Sequence, residues 1–414
     1  MNERRVVVTG LGAITPLGKT APDHWNGLVS GKNGVRMIDH FDTSKFDTKF
    51  AAQIPDYDSN EFFDRKEARR LDRFSQYALI AADETIKDSN IDLDNINGDE
   101  VGVMIGSGIG GMDVFYRQSV QFNERGPKGV SPFFIPMLIP DIAAGHVSMR
   151  YKFRGPNFCT VSACATGSHN IGHAYDAIRF GNCDYAICGG TEAPVIEMGI
   201  SGFNAMRAMS TNNEEYETAS RPFDKTRDGF VLGEGAAMFF LETYESAVER
   251  GARIYGEVVG YGFSADAHHI TAPDPDGKGV ILALTKALKS AGIKPEDVQH
   301  INMHGTATPL GDIAETNSIK KVFGDHSYDM NFNSTKSMTG HMLGAAGAAE
   351  ALATLLSIYH GMVPPTINYN EPDPECDLNY TTNEAEARDV RYAINNAFGF
   401  GGHNTALVFK KFEE

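Results

Sequence analysis

Residues 161–172 read VSACATGSHNIG, a cysteine set among the smallest side chains where one pattern gives way to another. To its left, Phe158-Cys159-Thr160-Val161 predicts a short apolar strand. To its right, Ile171, Ala174, Tyr175 and Ile178 recur at i, i+3, i+4 and i+7, the spacing of one buried helix face. Cys164 therefore falls at or near a helix N-terminus, where unpaired N–H groups and the macrodipole favour an anion. A free thiol has a pKa of about 8.5, and this position is expected to lower it. Two readings stay open at this point: a nucleophile, or one more small buried residue, as most free cysteines are.

The same pattern returns once. Residues 340–361, GHMLGAAGAAEALATLLSIYHG, carry Leu352, Leu355, Leu356 and Tyr359 on the same stripe. Two helices so rich in Gly and Ala can pack against a sheet, or against each other, at close range. The echo implies a duplicated architecture. Its halves, residues 1–255 and 256–414, meet where RGARIYGEVVGYG (residues 250–262) restarts a strand pattern. Buried strands are expected at Val6–Val8, Val101–Ile105, Tyr185–Cys188, Ala237–Phe240, Val258–Val259, His300–Met303, Tyr392–Ile394 and Ala406–Phe409. Helical patterns alternate with them, which predicts α/β layers.

Bulk properties narrow the function. With 414 residues, 42% of them hydrophobic, the chain can fill two or more cores. A formal charge of −17 argues against nucleic acid as the main partner and against an anionic membrane surface. No apolar run approaches the roughly 18 residues that span a bilayer. The N-terminus runs straight into a strand pattern without a signal-peptide core. The five cysteines show no CxxC pair. A cytoplasmic protein with reduced thiols is expected, with Cys159, Cys183, Cys188 and Cys376 structural.

Several constellations could carry chemistry. Gly106–Gly111, GSGIGG, fits the G-x-G-x-x-G fingerprint after an apolar strand, but the acidic residue due about 20 positions later is missing. We read it as a tight turn with close backbone approach. The pairs His169/His173 and His300/His304 lack a third ligand or lie along a strand, so no metal is expected. In NMHGTATPLGD (residues 302–312), His304 ends a strand beside Gly305, Thr306 and Thr308, which suits a pocket floor. The stretch from Asn333 to Glu350 gathers Lys336, His341 and Glu350, with His341 read as opening a helix that keeps its ring neutral. A neutral ring can donate to a developing oxyanion. Phe398 and Phe400 stand in the glycine-rich NAFGFGGHN (residues 396–404), a loop whose N–H groups can approach a ligand. One basic exception breaks the acidic background: Asp64 to Arg73 holds five basic and three acidic residues. As a helix, it sets Lys66, Arg69, Arg70 and Arg73 on one face and Leu71, Phe74 and Ala78 on another.

Taken together, SACATGSHNIG (162–172), SRPFDKTRDGFVLGEGA (220–236), HGTATPLGD (304–312), KSMTGHMLGAAG (336–347) and GFGGHN (399–404) resemble a β-ketoacyl-acyl-carrier-protein synthase. Two histidines beside the cysteine resemble the elongating types, and HNIGHAYDAIRFGNCD (169–184) looks most like type II. The resemblance implies a duplicated thiolase-like α-β-α-β-α layered sandwich, usually dimeric. It implies that Cys164 accepts the acyl chain, that His304 and His341 bind the malonyl thioester carbonyl, and that Lys336, with Glu350 beside it, supports them. By the same match, the N–H groups of Cys164 and Phe400 form the oxyanion hole, and the Phe400 ring gates the acyl pocket. Thr306, Thr308 and Thr271 face the phosphopantetheine arm, and Ile109 and Phe203 line the acyl pocket. Lys66, Arg69, Arg70 and Arg207 would receive the acyl-carrier protein. No cofactor or metal is implied, since the phosphopantetheine arrives on the carrier. Ala307 and His403 depart from the family's common residues.

Three alternatives were weighed. A polyketide ketosynthase would use the same chemistry on other chains. A thiolase uses a second cysteine in its closing glycine-rich loop, and Cys376, in PDPECDLNY (372–380), is not placed there. A non-catalytic chain-length partner lacks the active cysteine, whereas Cys164, His304 and His341 are all present.

Overall fold

The computed structural model describes residues 3–413. Ten strands form the main sheet: β1 (Val6–Ile14), β2 (Val101–Gly106), β3 (Asn157–Phe158), β4 (Tyr185–Glu192), β5 (Gly235–Thr243), β6 (Gly256–Ala265), β7 (His300–Asn302), β8 (Asn331–Asn333), β9 (Tyr392–Gly399) and β10 (His403–Lys410). Seven helices matter to the argument: α1 (Arg73–Ser89), α2 (Met112–Arg125), α3 (Thr166–Arg179), α4 (Glu197–Ala205), α5 (Lys278–Ala291), α6 (Pro309–Phe323) and α7 (Ala346–His360).

The strand order exposes the duplication. The first five strands run β3-β2-β4-β5-β1 and the second five run β8-β7-β9-β10-β6, the same order shifted by five. Pairing directions match as well. In each half the first and last strands pair antiparallel, the last pairs antiparallel with the fourth, and the remaining pairs are parallel. A short antiparallel seam, Val6–Val8 against Gly256–Val258, joins the two half-sheets into one ten-stranded sheet. The sequence patterns did not predict that seam.

Helices α3 and α7 form the middle layer and touch strands of both halves, while α1 covers the first half-sheet and α5 the second. Three apolar cores follow. One lies around α3 and α7 between the half-sheets, one under α1, and one under α5 and α6. This is the expected five-layered α-β-α-β-α sandwich. All nine residues of β1 and of β5 are buried, which explains why these strands read as near-continuous apolar runs.

The small residues of the middle helices serve mutual contact. A Cβ on Gly167 would lie 2.8 Å from the Ala348 nitrogen, and one on Gly347 would strike Ser168. The contact is reciprocal under a shift of 180 residues. Each helix is also entered through the same tight turn: Ala163–Ala165 before α3 and Leu343–Ala345 before α7, both 3₁₀. Each turn begins with a left-handed non-glycine residue, Ala163 at φ 51° and Leu343 at φ 46°. Such backbone costs about 1 kcal/mol or more and clusters at functional sites. Cys164 occupies the middle of the first turn, and Gly344 the middle of the second.

Two local expectations need correction. The strand before Cys164 is only Asn157–Phe158, and Val161 is exposed, because the chain must leave the sheet edge to enter the tight turn. The basic stretch is not one helix either. A four-residue helix, Arg65–Ala68, stops, and Asp72 starts α1 by accepting from the Phe74 N–H at 3.4 Å. Lys66, Arg69 and Arg70 remain exposed, but Arg73 turns inward, where burial is the largest influence on its guanidinium. Leu71, Phe74 and Ala78 are buried as expected. Among the described residues no helix is long and apolar enough to cross a membrane.

Candidate active site

A cleft of about 490 Å³ opens between the two halves. Its lining includes Cys164 and Phe203 from the first half and His304, Thr306, Thr308, His341 and Phe400 from the second. Thr271 and Arg207 line it too, both of them exposed. Ile109 is not part of the cleft wall. It packs with Cys164, Phe203, Ile200 and Leu343 in the apolar cluster behind the cysteine. Lys336 lies beneath, fully buried. Lys66, Arg69 and Arg70 lie elsewhere on the surface, where the Arg70 guanidinium sits 4.8 Å from the centre of the Phe133 ring.

The cysteine is held by close backbone approach. Gly399 comes so near that a Cβ there would lie 2.5 Å from the Ser162 carbonyl oxygen and 3.1 Å from the Cys164 nitrogen. The N–H of the next residue, Phe400, lies near the Cys164 sulfur and favours its anion. Phe398 and Gly399 are the last residues of β9, paired with Asn404 and His403, so the glycine-rich segment is the tip of a hairpin and not an open loop. Gly401 and Gly402, at φ 89° and 75°, make its turn.

The expected low thiol pKa is overturned. Burial pushes the Cys164 thiol up to about 12; the charge of Lys336 and the Phe400 N–H pull it down, while Glu192 and Glu350 push it further up. The helix-start position does not outweigh loss of solvent, because a thiolate in an apolar cluster forfeits its hydration.

The two histidines meet edge to face, their ring centres 5.4 Å apart. His304 is gripped from below. Its Nδ1 lies 3.4 Å from the Lys336 Nζ, and an ammonium can only donate, so the neutral ring carries its proton on Nε2. Glu315 fixes the backbone here by accepting from the His304 and Gly305 N–H groups, each at 2.9 Å. Lys336 pairs with Glu350, both fully buried. Burial raises the Glu350 carboxyl to about 7 against the pull of that ammonium. Burial and the Lys336 charge hold both histidines well below the usual imidazole range, with each other's proximity adding to the effect at His304. Both rings are therefore neutral, as expected, but for a different reason. His341 does not open a helix; it precedes the Leu343–Ala345 turn, with its N–H donating to Val231 at 2.7 Å.

The threonine segment is clamped as well. Ala307 takes a left-handed φ of 64°, and its carbonyl accepts from the Gly229 N–H at 3.1 Å. Arg227 donates to the Pro309 carbonyl at 3.0 Å and to Asp373 at 2.6 Å. Thr306 and Thr308 stand side by side, 3.1 Å between hydroxyl oxygens. Sequence reasoning missed Arg227, Glu315 and Glu192. Glu192 left a signal as a lone charge in an apolar, glycine-rich run, whereas Arg227 and Glu315 stand among other charged and polar residues and left none. Among the described residues no cluster of side chains could hold a metal ion.

Comparison with known proteins decides the family. Residues 3–247 match the N-terminal domain of β-ketoacyl synthases and residues 255–370 their C-terminal domain. The chain belongs to the β-ketoacyl synthase family. It is 49% identical over 413 residues to a 3-oxoacyl-[acyl-carrier-protein] synthase 2 of Synechocystis, covering 100% of this chain and 99% of that one. A Staphylococcus aureus protein of the same name is 50% identical over 410 residues, with 99% of each covered. Among solved structures, a β-ketoacyl synthase from Burkholderia phymatum superposes with a TM-score of 0.91 at 35% identity, covering 99% of this chain and 100% of that one. A type II polyketide ketosynthase solved with its acyl-carrier protein gives 0.93 at 34%, with the same coverage. The protein is thus an acyltransferase, a β-ketoacyl synthase of the fatty-acid-elongating kind.

Proposed function

We propose that this synthase elongates an acyl chain by two carbons, using Cys164 as nucleophile and His304 and His341 as donors to the malonyl unit. The observation that carries the assignment is the single cleft that collects Cys164, two neutral histidines and two threonine hydroxyls. In the first step the cysteine sulfur attacks the carrier-bound thioester, the carrier's sulfur leaves, and the proton passes from one sulfur to the other. In the second, the malonyl unit loses CO2 and its carbonyl oxygen becomes negative, where the two rings donate. The enolate carbon then attacks the cysteine-bound carbonyl, the C–S bond breaks, a 3-oxoacyl chain leaves on the carrier, and the departing Cys164 thiolate takes up one proton from solvent. The N–H groups of Cys164 and Phe400 hold the oxyanion that forms on the way. No cofactor enters this balance; the phosphopantetheine arm comes with the substrate and lies along Thr306, Thr308 and Thr271.

The halves 1–255 and 256–414 divide the labour, the first bringing the nucleophile and the second the histidines. An acyl-carrier protein is the partner, by analogy with the polyketide ketosynthase that was solved with one. A homodimer is supported by the edge strand Asn157–Phe158 and by exposed apolar Met149 on the helix Ile142–Tyr151 that packs against it, with Phe115, Phe122 and Ile135 also exposed. The composition fits the cytoplasm. Fatty acid synthesis is favoured over polyketide assembly because the relatives named for it are about 50% identical, against 34% for the polyketide ketosynthase. Incubation with acyl- and malonyl-carrier protein should yield the 3-oxoacyl product by mass spectrometry; absence of product across acyl lengths would reject the reading.

Two consequences concern selectivity. Ile109 packs against the apolar cluster that holds Cys164, so Ile109→Phe is expected to cut kcat/KM for long acyl chains at least about tenfold while sparing short ones. An unchanged length profile would remove Ile109 from the pocket. At the surface, acyl-carrier proteins are acidic, and Lys66, Arg69 and Arg70 are free of ion pairs among the described residues. Reversing Arg69 and Arg70 to Glu should raise KM for carrier-bound substrate about tenfold and spare a small acyl-pantetheine thioester, with the difference shrinking in salt, since exposed charges are screened within about 8 Å. Equal effects on both substrates would make the patch an ordinary solvated surface.

A further inference from the structure

The glycine-rich turn Gly106–Gly111 resembles a phosphate-binding fingerprint, yet a carboxyl group of the protein already occupies it; burial raises its pKa, and the donors from Ser107, Gly344, Gly108 and Ile109 favour its carboxylate form. Glu192, the last residue of β4, is buried. One carboxylate oxygen accepts from the Ser107 hydroxyl at 2.5 Å and the Ile109 N–H at 3.2 Å. The other accepts from the Gly108 N–H at 2.8 Å and the Gly344 N–H at 2.9 Å. Ser107 in turn accepts from the Gly110 N–H at 2.8 Å. A Cβ on Gly108 would lie 2.8 Å from this carboxylate and 3.1 Å from the Ala163 carbonyl oxygen, so the turn that bears Ile109, the nucleophile turn and the matching turn of the second half converge on one point.

We propose that Glu192 is a positioning residue for the acyl pocket: its carboxylate ties the Ser107–Ile109 turn to Gly344 and thereby fixes where Ile109 stands behind Cys164. The inference rests on the reading of Ile109 as a pocket residue. The internal duplication sharpens it. Gly344 holds the place in the second half that Cys164 holds in the first, so the N–H that Glu192 takes is the counterpart of the one left to the substrate in the nucleophile turn. Nothing in the condensation uses Glu192 directly. Its position at the junction of both halves is what gives it leverage on chain length. Its charge also bears on the sulfur, because a nearby anion disfavours a second one.

Glu192→Gln keeps the size but changes the donors. Its amide oxygen can still serve two N–H groups, whereas its NH2 faces the other pair. If that NH2 meets Ser107 and Ile109, the serine hydroxyl can turn to accept, but the Ile109 N–H is left facing a donor. The expected result is a change of about threefold or more in the ratio of kcat/KM for long over short acyl chains. Iodoacetamide should alkylate Cys164 about tenfold faster at pH 8, because removing a neighbouring anion raises the thiolate fraction. Glu192→Asp keeps the charge and loses the reach, so it should change the length ratio and leave the alkylation rate alone. Ser107→Ala keeps the carboxylate and removes two bonds, the one Ser107 donates to it and the one it accepts from the Gly110 N–H, and serves if the Glu192 variants do not fold; it should shift the length ratio in the same direction. A melting temperature lowered in all three with the wild-type length ratio kept would make Glu192 merely structural and overturn the proposal. The Ile109→Phe variant separates the two claims: if it changes chain length and these variants do not, the pocket reading stands and Glu192 has no part in it.

Discussion

Replacing Cys164 with alanine is expected to lower condensation by about 10³-fold or more, the scale of losing a covalent nucleophile, while the fold survives. The side chain is small and buried in the apolar cluster with Ile200, Phe230 and Leu343, so the truncation leaves little space. The wild-type enzyme incubated with acyl-carrier substrate should carry the acyl mass on Cys164 and on no other cysteine. Among the described residues Cys164 is the one cysteine that lines the cleft; Cys159, Cys183, Cys188 and Cys376 do not reach it. Acyl mass on Cys159 or Cys188 would overturn the assignment. The raised thiol carries a pH signature as well. A group whose pKa lies near 12 is protonated throughout the neutral range, so alkylation of the free enzyme should keep accelerating as pH rises past 9. A plateau near pH 8 would mean that the turn, Lys336 and the Phe400 N–H outweigh burial. The free thiol is therefore stored protonated, and exchange with the incoming thioester moves its proton only when a leaving sulfur is there to receive it.

What could be read in advance divides along a physical line. Periodicity and composition act locally, and what they dictate was legible. The stripe at Ile171, Ala174, Tyr175 and Ile178 took the predicted form, as did the matching stripe after Gly340 except for exposed Tyr359, and the apolar runs other than Phe158–Val161 fell in strands. The duplication was legible because both middle helices need small residues at one contact, and only Gly and Ala allow Gly167 and Gly347 to pass so closely. Features that failed depend on which distant residue arrives. The thiol's pKa turned on burial against Leu343 and on Glu192, neither visible from the helix start. Asp72 broke the basic helix because its side chain caps α1 and also accepts from the Val114 N–H at 3.1 Å, a partner 42 residues away. The glycine turn was correctly read as a close backbone approach, but its anion came from β4, some 85 residues on. His341 was assigned a neutral ring from a helix terminus that lies elsewhere, and burial with Lys336 produces the same charge state.

That charge state sets the second large effect. His304→Ala and His341→Ala should each lower condensation by about 10²–10³-fold, the usual result of removing one donor to a developing oxyanion, roughly 3 kcal/mol. The loss should fall on the malonyl half-reaction. On the proposed assignment acyl transfer to Cys164 uses the sulfur and the N–H groups of Cys164 and Phe400, which neither substitution touches, so acyl-enzyme should still accumulate when malonyl substrate is withheld. The geometry gives the two rings unequal support. Lys336 fixes the His304 tautomer through Nδ1, whereas the His341 Nδ1 is buried without a partner. Lys336→Met should therefore resemble His304→Ala in the malonyl step more than it resembles Cys164→Ala. Since both rings titrate well below the usual imidazole range, lowering pH from 8 to 6 protonates neither and the donors persist, so any fall in malonyl decarboxylation across that interval should follow the buried carboxyls of Glu315 and Glu350, each raised to about 7. A fall between pH 6 and 7 that persists in Glu315→Gln and Glu350→Gln variants would show that one ring charges there and that burial does not control it. Complete and equal loss of acyl-enzyme formation in folded histidine variants would contradict the division of labour, because it would place the rings in the first step as firmly as in the second.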